Sequence, residues 1–311
     1  MRKCDVMRIL VVARYKERGF APFVTEQFSA LQEAGIECRF FPIRSNGIKG
    51  YLLALPELNR AINDFCPDVI HAHYGICGLF ANLQRRIPVV TTYHGSDINK
   101  SVILKLSKIS IKFSSFNVFV SQRSIDLAQP KKDFALIPCG INLDDYPIMD
   151  KCAARSIMKF DPQVKYVLFA GAFNNKVKNA HLAKDVVSFF EEVKLLELKN
   201  YSRQQVAVLL QAVDALLMTS ISEGSPQVIK EAMACGCPIV AVNVGDVKER
   251  LCGIEGCYVI DSRNVCEIAE SLRAAFSFNR RTSGRERIIA DGLENSQVVK
   301  SLVEIYRKVK K

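Results

Sequence analysis

Residues Ser222–Val242 read SEGSPQVIKEAMACGCPIVAV. An apolar run, Ala215–Ser220 (ALLMTS), precedes them, and its length and composition suit a fully buried strand. Ser225 can cap a helix, and Pro226 fits its first turn because proline lacks the N–H that would be orphaned there. Gly236 suits the left-handed position that ends a helix, and Pro238 follows. Pro238–Val242 makes the next apolar strand. Strand, loop, helix and strand in this order form one unit of a parallel sheet. The first loop falls at the carboxyl end of a strand, where open α/β sheets bind ligands. Exposed N–H groups near Gln227 and Val228, together with the helix dipole, would attract a phosphate.

The same alternation extends outward from this segment. Arg8–Ala13 (RILVVA), Ile36–Ile43, Pro67–Ala72, Pro88–Tyr93, Asn117–Ser121 and Ala135–Pro138 read as strands. Pro22–Ala34 and Leu52–Phe65 read as helices between them. Gly140–Lys151 is polar and contains proline, which makes it a candidate linker. The pattern then restarts with strands at Tyr166–Ala170, Val193–Leu198 and Cys257–Ile260, and helices at Asn179–Glu192 and Ser202–Ala212. Ser296–Lys311 is a basic amphipathic helix. The expectation is an α/β chain of two tandem Rossmann-like parallel-sheet domains facing a central cleft. Their limits are 1–150 and 151–295, and helix 296–311 packs back towards the first.

The 311 residues suit two domains, and 49% hydrophobic residues suffice for a core in each. Lys and Arg number 43 against 32 Asp and Glu, a net charge of +11. The excess is +5 over residues 1–150 and +6 over the remainder. Such spreading excludes a dedicated nucleic-acid arm and favours an anionic ligand or a membrane surface. The 11 cysteines form no Cys-x-x-Cys pair and read as reduced core thiols of a cytoplasmic protein. The apolar stretch near the N-terminus stops at Arg14, too early for a signal peptide. No run reaches the roughly 20 apolar residues of a membrane span.

Glu223 stands in the loop and Glu231 inside the helix, eight residues apart. Carboxylates suit sugar hydroxyls because each accepts several directed hydrogen bonds. The segment closely resembles the donor-site signature of the retaining glycosyltransferases of family four, which have the GT-B fold. That signature is Glu-x7-Glu followed by Ala-Met-Ala-x-Gly-x-Pro. The resemblance places Glu223 beside the transferred sugar and Glu231 on the ribose of the nucleotide. Backbone groups of Gly224, Ser225, Pro226, Gln227 and Val228 would then meet the diphosphate or sugar. Relatives often carry Phe where this chain has Ser225.

Other segments extend the likeness. In FAGAFNNKVKN, Phe169–Asn179, Gly171 ends a strand and Lys178 follows seven residues later, a spacing that can bring an ammonium to a phosphate. In the family this glycine precedes an Arg, and a Lys stands six residues beyond the Arg. Lys178 matches that Lys, whereas Ala172 replaces the Arg, and Lys176 is a weaker candidate for the missing charge. In Tyr93–Asp97 (YHGSD), His94 resembles the family His that contacts the donor sugar. Asp97 either orients His94 or caps a helix starting near Ile98. In IHAHYG, His71 reads as sheet packing and His73 as facing the acceptor. The loop Tyr15–Phe20 holds only Gly19 where many relatives carry paired glycines. Tyr201, in LKNY, stands where relatives hold the base.

In Asn99–Ser114, the residues Val102, Leu106, Ile109 and Phe113 share one helical face. Lys105, Lys108 and Lys112 complete a basic amphipathic helix that either packs on its own domain or lies on an anionic membrane. The whole implies a retaining glycosyltransferase using a nucleotide diphosphate-sugar and a glycan or lipid-linked acceptor. It would work in the cytoplasm, in contact with the inner face of the membrane, without nucleic acid. No Asp-x-Asp motif occurs, so no metal cofactor is expected. The alternatives are a sugar-nucleotide epimerase of the same fold and a non-catalytic sugar-nucleotide-binding subunit. Ala172 and the single Gly19 favour the latter.

Overall fold

A computed structural model describes residues 6–16, 19–44, 50–51 and 53–310. They divide into two compact units, Met1–Gly140 with Asn295–Lys311, and Ile141–Glu294. Glu17 and Arg18 of the first loop, and Leu52 at the expected helix start, lie outside the described residues.

Unit 1 is built on β1 (Arg8–Arg14), β2 (Glu37–Ile43), β3 (Val69–His73), β4 (Val89–Tyr93), β5 (Phe116–Phe119) and β6 (Phe134–Leu136). They form a parallel sheet in the order β2-β1-β3-β4-β5-β6. The helices are α1 (Pro22–Glu33), α2 (Leu55–Phe65), α3 (Gly75–Ala81), α4 (Ser101–Phe113) and α5 (Gln122–Ala128). Successive side chains of a strand point to opposite faces. Accordingly Ile9, Val11 and Ala13 pack with Val24 and Leu31 of α1. Leu10 and Val12 pack with Leu58, Ile62 and Phe65 of α2 and Phe80 of α3. A strand buried on both faces has to be apolar throughout, which is why RILVVA shows no alternation.

Helices α3 and α4 pack against each other through their smallest residues. A Cβ at Gly75 would collide with Ser107, and one at Gly78 with Ser110 and Thr91. Ser107 and Ser110 are therefore the buried side of α4. Its apolar stripe faces outward: Val102 is 75% exposed, Ile109 43% and Phe113 39%.

Unit 2 contains β7 (Lys165–Phe169), β8 (Val193–Glu197), β9 (Ala215–Met218), β10 (Ile239–Val242) and β11 (Cys257–Ile260). All are parallel, in the order β11-β10-β9-β7-β8. Its helices are α6 (Lys151–Met158), α7 (Ala180–Val187), α8 (Arg203–Ala212), α9 (Gln227–Ala234), α10 (Val247–Leu251), α11 (Val265–Phe278) and α12 (Gly284–Ala290). Strand order reverses between β7 and β9 here, and between β1 and β3 in unit 1. At such reversals the adjoining connections diverge, leaving a crevice at the carboxyl ends of the strands.

The boundary falls at Gly140 and not at 150, and Gly140–Lys151 is no free linker. Ile141, Leu143 and Tyr146 are buried in the core of unit 2. The Ile141 N–H donates to Leu293 O at 2.9 Å. The Asp150 carboxylate caps α6 through the N–H groups of Cys152 and Ala153. Asn and Asp residues between the anchors made the stretch look solvated. The last helix, α13 (Asn295–Val309), adds Val298, Val299, Leu302, Ile305 and Tyr306 to the core of unit 1 beside α1. Among the described residues no helix is long and apolar enough to cross a membrane.

Candidate functional site

In unit 2 the crevice between β7 and β9 collects the residues singled out in both loops. Lys178 ends a short 3-10 turn, Lys176–Lys178, which Asn175 caps by accepting from the Val177 N–H. The Thr219 hydroxyl, just past β9, donates to the carbonyls of Lys178 and Asn179 at 3.0 and 2.9 Å. The Ile221 N–H donates to Val177 O at 2.8 Å. These bonds lace the two loops together and fix the height of Lys178. Its Nζ donates to Glu223 Oε1 at 2.7 Å, with 22% and 17% of the two side chains exposed. Gly171 makes the approach possible, since a Cβ there would lie 2.7 Å from Lys178 Cγ. Lys176 is exposed, and Ala172 only closes a turn with Asn175.

Ser225 does not cap the helix. Helix α9 begins at Gln227 behind Pro226, and no side chain caps it. The Ser225 hydroxyl instead donates to Asp246 Oδ2 at 2.7 Å. Gly224 lies close under Gly245, which has φ of +65° and whose Cβ would strike the Gly224 carbonyl. This third strand-end loop, after β10, buttresses the Glu223 loop. The Ser225 hydroxyl proton is thereby committed to a carboxylate acceptor, the stronger kind of hydrogen bond.

Beneath the loop lies a charged layer. Lys230 is fully buried, and its Nζ donates to Gln227 Oε1 at 3.1 Å. Burial pushes the Glu231 and Asp246 carboxyls upward, and the Lys230 charge opposes this in both. Glu231 also accepts from the Tyr146 hydroxyl and lies in the field of Arg203. Arg203 donates to Asp145 at 2.8 Å. Glu231 is thus held from three sides: its own helix, the start of α8 and the segment that resembled a linker. Tyr201, just before α8, is 37% exposed.

In unit 1, His94 follows β4. Its Nε2 shares a hydrogen bond with His73 Nδ1 at 3.0 Å, and its Nδ1 faces the Cys139 Sγ at 3.7 Å. Its ring packs 4.4 Å from Phe23 and 4.9 Å from Tyr74. His73, expected on the acceptor side, is 1% exposed and serves as the partner of His94. Asp97 does not cap a helix at Ile98, because α4 starts at Ser101 behind Lys100. Its carboxylate accepts from the His94 N–H at 3.0 Å and the Gly75 N–H at 2.9 Å. It therefore fixes the His94 backbone against the start of α3, and burial raises its carboxyl to about 6. Gly19 closes a turn with Lys16 at φ +98°, a backbone angle that favours glycine.

His71 is the sheet-packing residue that its position suggested. It is fully buried between the Tyr306 hydroxyl, 2.6 Å from Nδ1, and the Thr92 hydroxyl, 2.8 Å from Nε2. Burial lowers its pKa to about 3, and the same cause carries His73 well below the ordinary value. Both are neutral in the fold, and the unfolded chain takes up their protons as pH falls below about 6.5. Their stabilisation is complete above that value and lost towards pH 3. Asp97 acts oppositely, gaining stability as pH falls through about 6, and offsets one of the two histidines. The unfolding free energy of unit 1, and with it the denaturant midpoint, should fall between pH 7 and 4. A His71→Asn variant should flatten the profile, whereas an unchanged slope would contradict the assignment.

Two family models match, one in each unit: Glycosyltransferase Family 4 over residues 11–145 and Glycosyl transferases group 1 over residues 153–277. The chain belongs to this glycosyltransferase family. It is 26% identical over 289 residues to N-acetyl-alpha-D-glucosaminyl L-malate synthase of Bacillus anthracis, covering 78% of this chain and 75% of that protein. Against the next two curated relatives the match spans 61% and 62% of their length. Sucrose-phosphate synthase of Thermosynechococcus elongatus superposes with a TM-score of 0.83 at 15% identity, over 97% of this chain and 98% of that one. Anabaena HepE in complex with UDP-glucose gives 0.76 at 17% identity, over 97% and 100%. These two likenesses show the fold, which is GT-B, and the family makes the chain a glycosyltransferase.

Reading the sequence missed four residues of this candidate site: Tyr146, Arg203, Lys230 and Asp246. Asp246 had a usable signal, since Gly245-Asp246 after β10 repeats the strand-end glycine and acid of YHGSD. Lys230 stands beside Glu231 in a helix whose other residues, Gln227 apart, are apolar. Tyr146 and Arg203 come from distant segments and carried no signal.

Proposed function

We propose that the chain transfers a sugar from a nucleotide diphosphate-sugar to a hydroxyl of a glycan or lipid-linked glycan, with retention, in polysaccharide or glycoconjugate synthesis. The ion pair of Lys178 and Glu223 at the β7/β9 reversal, in front of α9, carries this reading. The ammonium and the first amides of α9 offer positive charge to a leaving diphosphate. Glu223 is the adjacent acceptor for sugar hydroxyls, and Glu231 serves the ribose, positioned by Tyr146 and Arg203. Tyr201 takes the base, and His94 the donor sugar. The positive charge comes from the protein, so transfer needs no divalent cation and EDTA leaves the rate unchanged.

Incubation with a panel of nucleotide sugars and acceptors tests the reading. Nucleotide release that rises with acceptor supports transfer, and the anomeric coupling in the product's NMR spectrum reports retention. A changed sugar still attached to nucleotide, or binding without turnover, contradicts it. Gly171→Ala pushes on the stem of Lys178 and should weaken nucleoside diphosphate affinity about tenfold, 1.4 kcal/mol. Titration calorimetry checks this, and an unchanged affinity would detach Lys178 from the phosphates.

The outward stripe of α4 supports work at the inner face of the membrane. Val102, Ile109 and Phe113 are exposed beside Lys105, Lys108 and Lys112, and no acidic residue occurs between Asp97 and Asp126. An anionic bilayer matches both halves of that surface. Co-sedimentation with phosphatidylglycerol vesicles should fall in an Ile109→Ser/Phe113→Ser variant. Failure to bind at low salt would remove the membrane contact.

A further inference from the structure

Helix α9 carries Glu231, and two arginines of unit 2 tie down its C-terminal end. The Arg285 guanidinium donates to Ala234 O at 3.0 Å, to Tyr146 O at 2.8 Å and to Leu143 O at 3.1 Å. Arg281 repeats the arrangement, donating to Cys235 O at 2.6 Å and to Met149 O. The last carbonyls of a helix lack partners within it, and a cation is favoured there. Each arginine therefore joins the end of α9 to the segment 143–149, which carries Tyr146. The planar fork of a guanidinium allows one side chain to serve both.

Glycines bring the arginines in. A Cβ at Gly284, the first residue of α12, would lie 2.7 Å from Met233 Cα. Gly236 has φ of +64°, and its carbonyl accepts from the Thr282 N–H at 3.0 Å. Gln211 of α8 pins the same segment: its Oε1 accepts from the Met149 N–H at 2.6 Å and its Nε2 donates to Pro147 O at 3.0 Å. Ala234 stands three residues after Glu231, on the same side of the helix. Arg285 and the Tyr146 hydroxyl thus meet α9 about one turn apart. The first holds the Tyr146 backbone and the second bonds Glu231.

We propose that Arg285 is a positioning residue for ribose recognition. It holds Tyr146 against α9, so that the Tyr146 hydroxyl aims the Glu231 carboxylate at the ribose hydroxyls. Hydrogen bonds weaken steeply when misaligned, so a carboxylate free to turn loses the ribose without losing the base or the diphosphate. The inference rests on the reading of Glu231 as the ribose carboxylate and adds the residue that sets its direction.

The test titrates UDP, GDP and ADP, each beside its 2′-deoxy analogue, into the full chain. The ribonucleotide that binds should do so about tenfold more tightly than its analogue. Arg285→Lys keeps the charge at the end of α9 and gives up the fork. It should bring that ratio close to unity by weakening the ribonucleotide and sparing the deoxynucleotide. Gly284→Ala shifts the start of α12 without removing a charge and should lower the ratio in the same way. Tyr146→Phe should abolish the ratio, and adding Arg285→Lys to it should change nothing further, because both act through one bond. An arginine that only held the fold together would lower the melting temperature and weaken both nucleotides alike. That result, or an unchanged ratio in Arg285→Lys and Gly284→Ala, would overturn the proposal and leave Glu231 on the ribose. If ribonucleotide and deoxynucleotide bind the unmodified chain equally, or none binds, the reading of Glu231 fails and the proposal falls with it.

Discussion

Lys178→Met should slow sugar transfer roughly 10²- to 10³-fold, the usual cost of removing one preorganised charge from a developing anion. The ammonium is only 22% exposed, so solvent screens it weakly. Methionine keeps the stem that passes Gly171 and removes only the charge. It also strips Glu223 of its 2.7 Å partner, leaving a carboxylate beside a departing diphosphate. The two effects point the same way, and Lys178→Arg should recover part of the rate. Because the leaving charge grows in the transition state, kcat should fall together with kcat/KM. A lysine that merely braced the 3-10 turn would lower the melting temperature and spare the rate. Glu223→Gln should also lose transfer, and full activity in that variant would remove the carboxylate from the sugar.

Removing α13 should unfold unit 1. Val298, Val299, Leu302, Ile305 and Tyr306 are buried against the sheet and α1. Burial of each such side chain contributes about 1.5–3 kcal/mol, and a whole domain is stable by only about 5–15 kcal/mol. The loss of five therefore matches the entire margin. Unit 2 keeps its own core over Ile141–Glu294 and should retain a cooperative melting transition. Calorimetry of the shortened chain should show that transition alone. Milder changes grade the effect: Leu302→Ala should cost about 2–5 kcal/mol. Tyr306→Phe strands the buried His71 Nδ1 and should cost about 1–3 kcal/mol. A shortened chain that kept the unit 1 transition would show that α13 is an appendage.

The sequence was most legible where burial on both faces forces apolar runs, as in RILVVA and ALLMTS, because there composition and fold are the same constraint. Lys178 and Glu223 were identifiable as residues, and their pairing follows from loops on adjoining strands, β7 and β9. Ser225 shows where local reading fails: its sequence neighbours suggested a helix cap, but its hydroxyl donates to Asp246, which arrives from another strand. Asp97 was open to two roles, orienting His94 or capping a helix, and of these it ties down the His94 backbone, together with Gly75. On α4 the apolar period left open whether the stripe packs inward or faces out; the glycines of α3 demand small partners, and Ser107 and Ser110 face in. The Gly140–Lys151 segment concealed Tyr146, since no periodicity marks an isolated anchor among Asn, Asp and Pro.

The reading depends most on a nucleoside diphosphate lying at the β7/β9 reversal of unit 2. Titration of UDP, GDP, ADP and dTDP into the unmodified chain and into Lys178→Met measures this directly. At least one nucleotide should bind, and its affinity should fall about tenfold or more in the variant. Binding of none at millimolar concentration, or equal affinity in the two proteins, would contradict it.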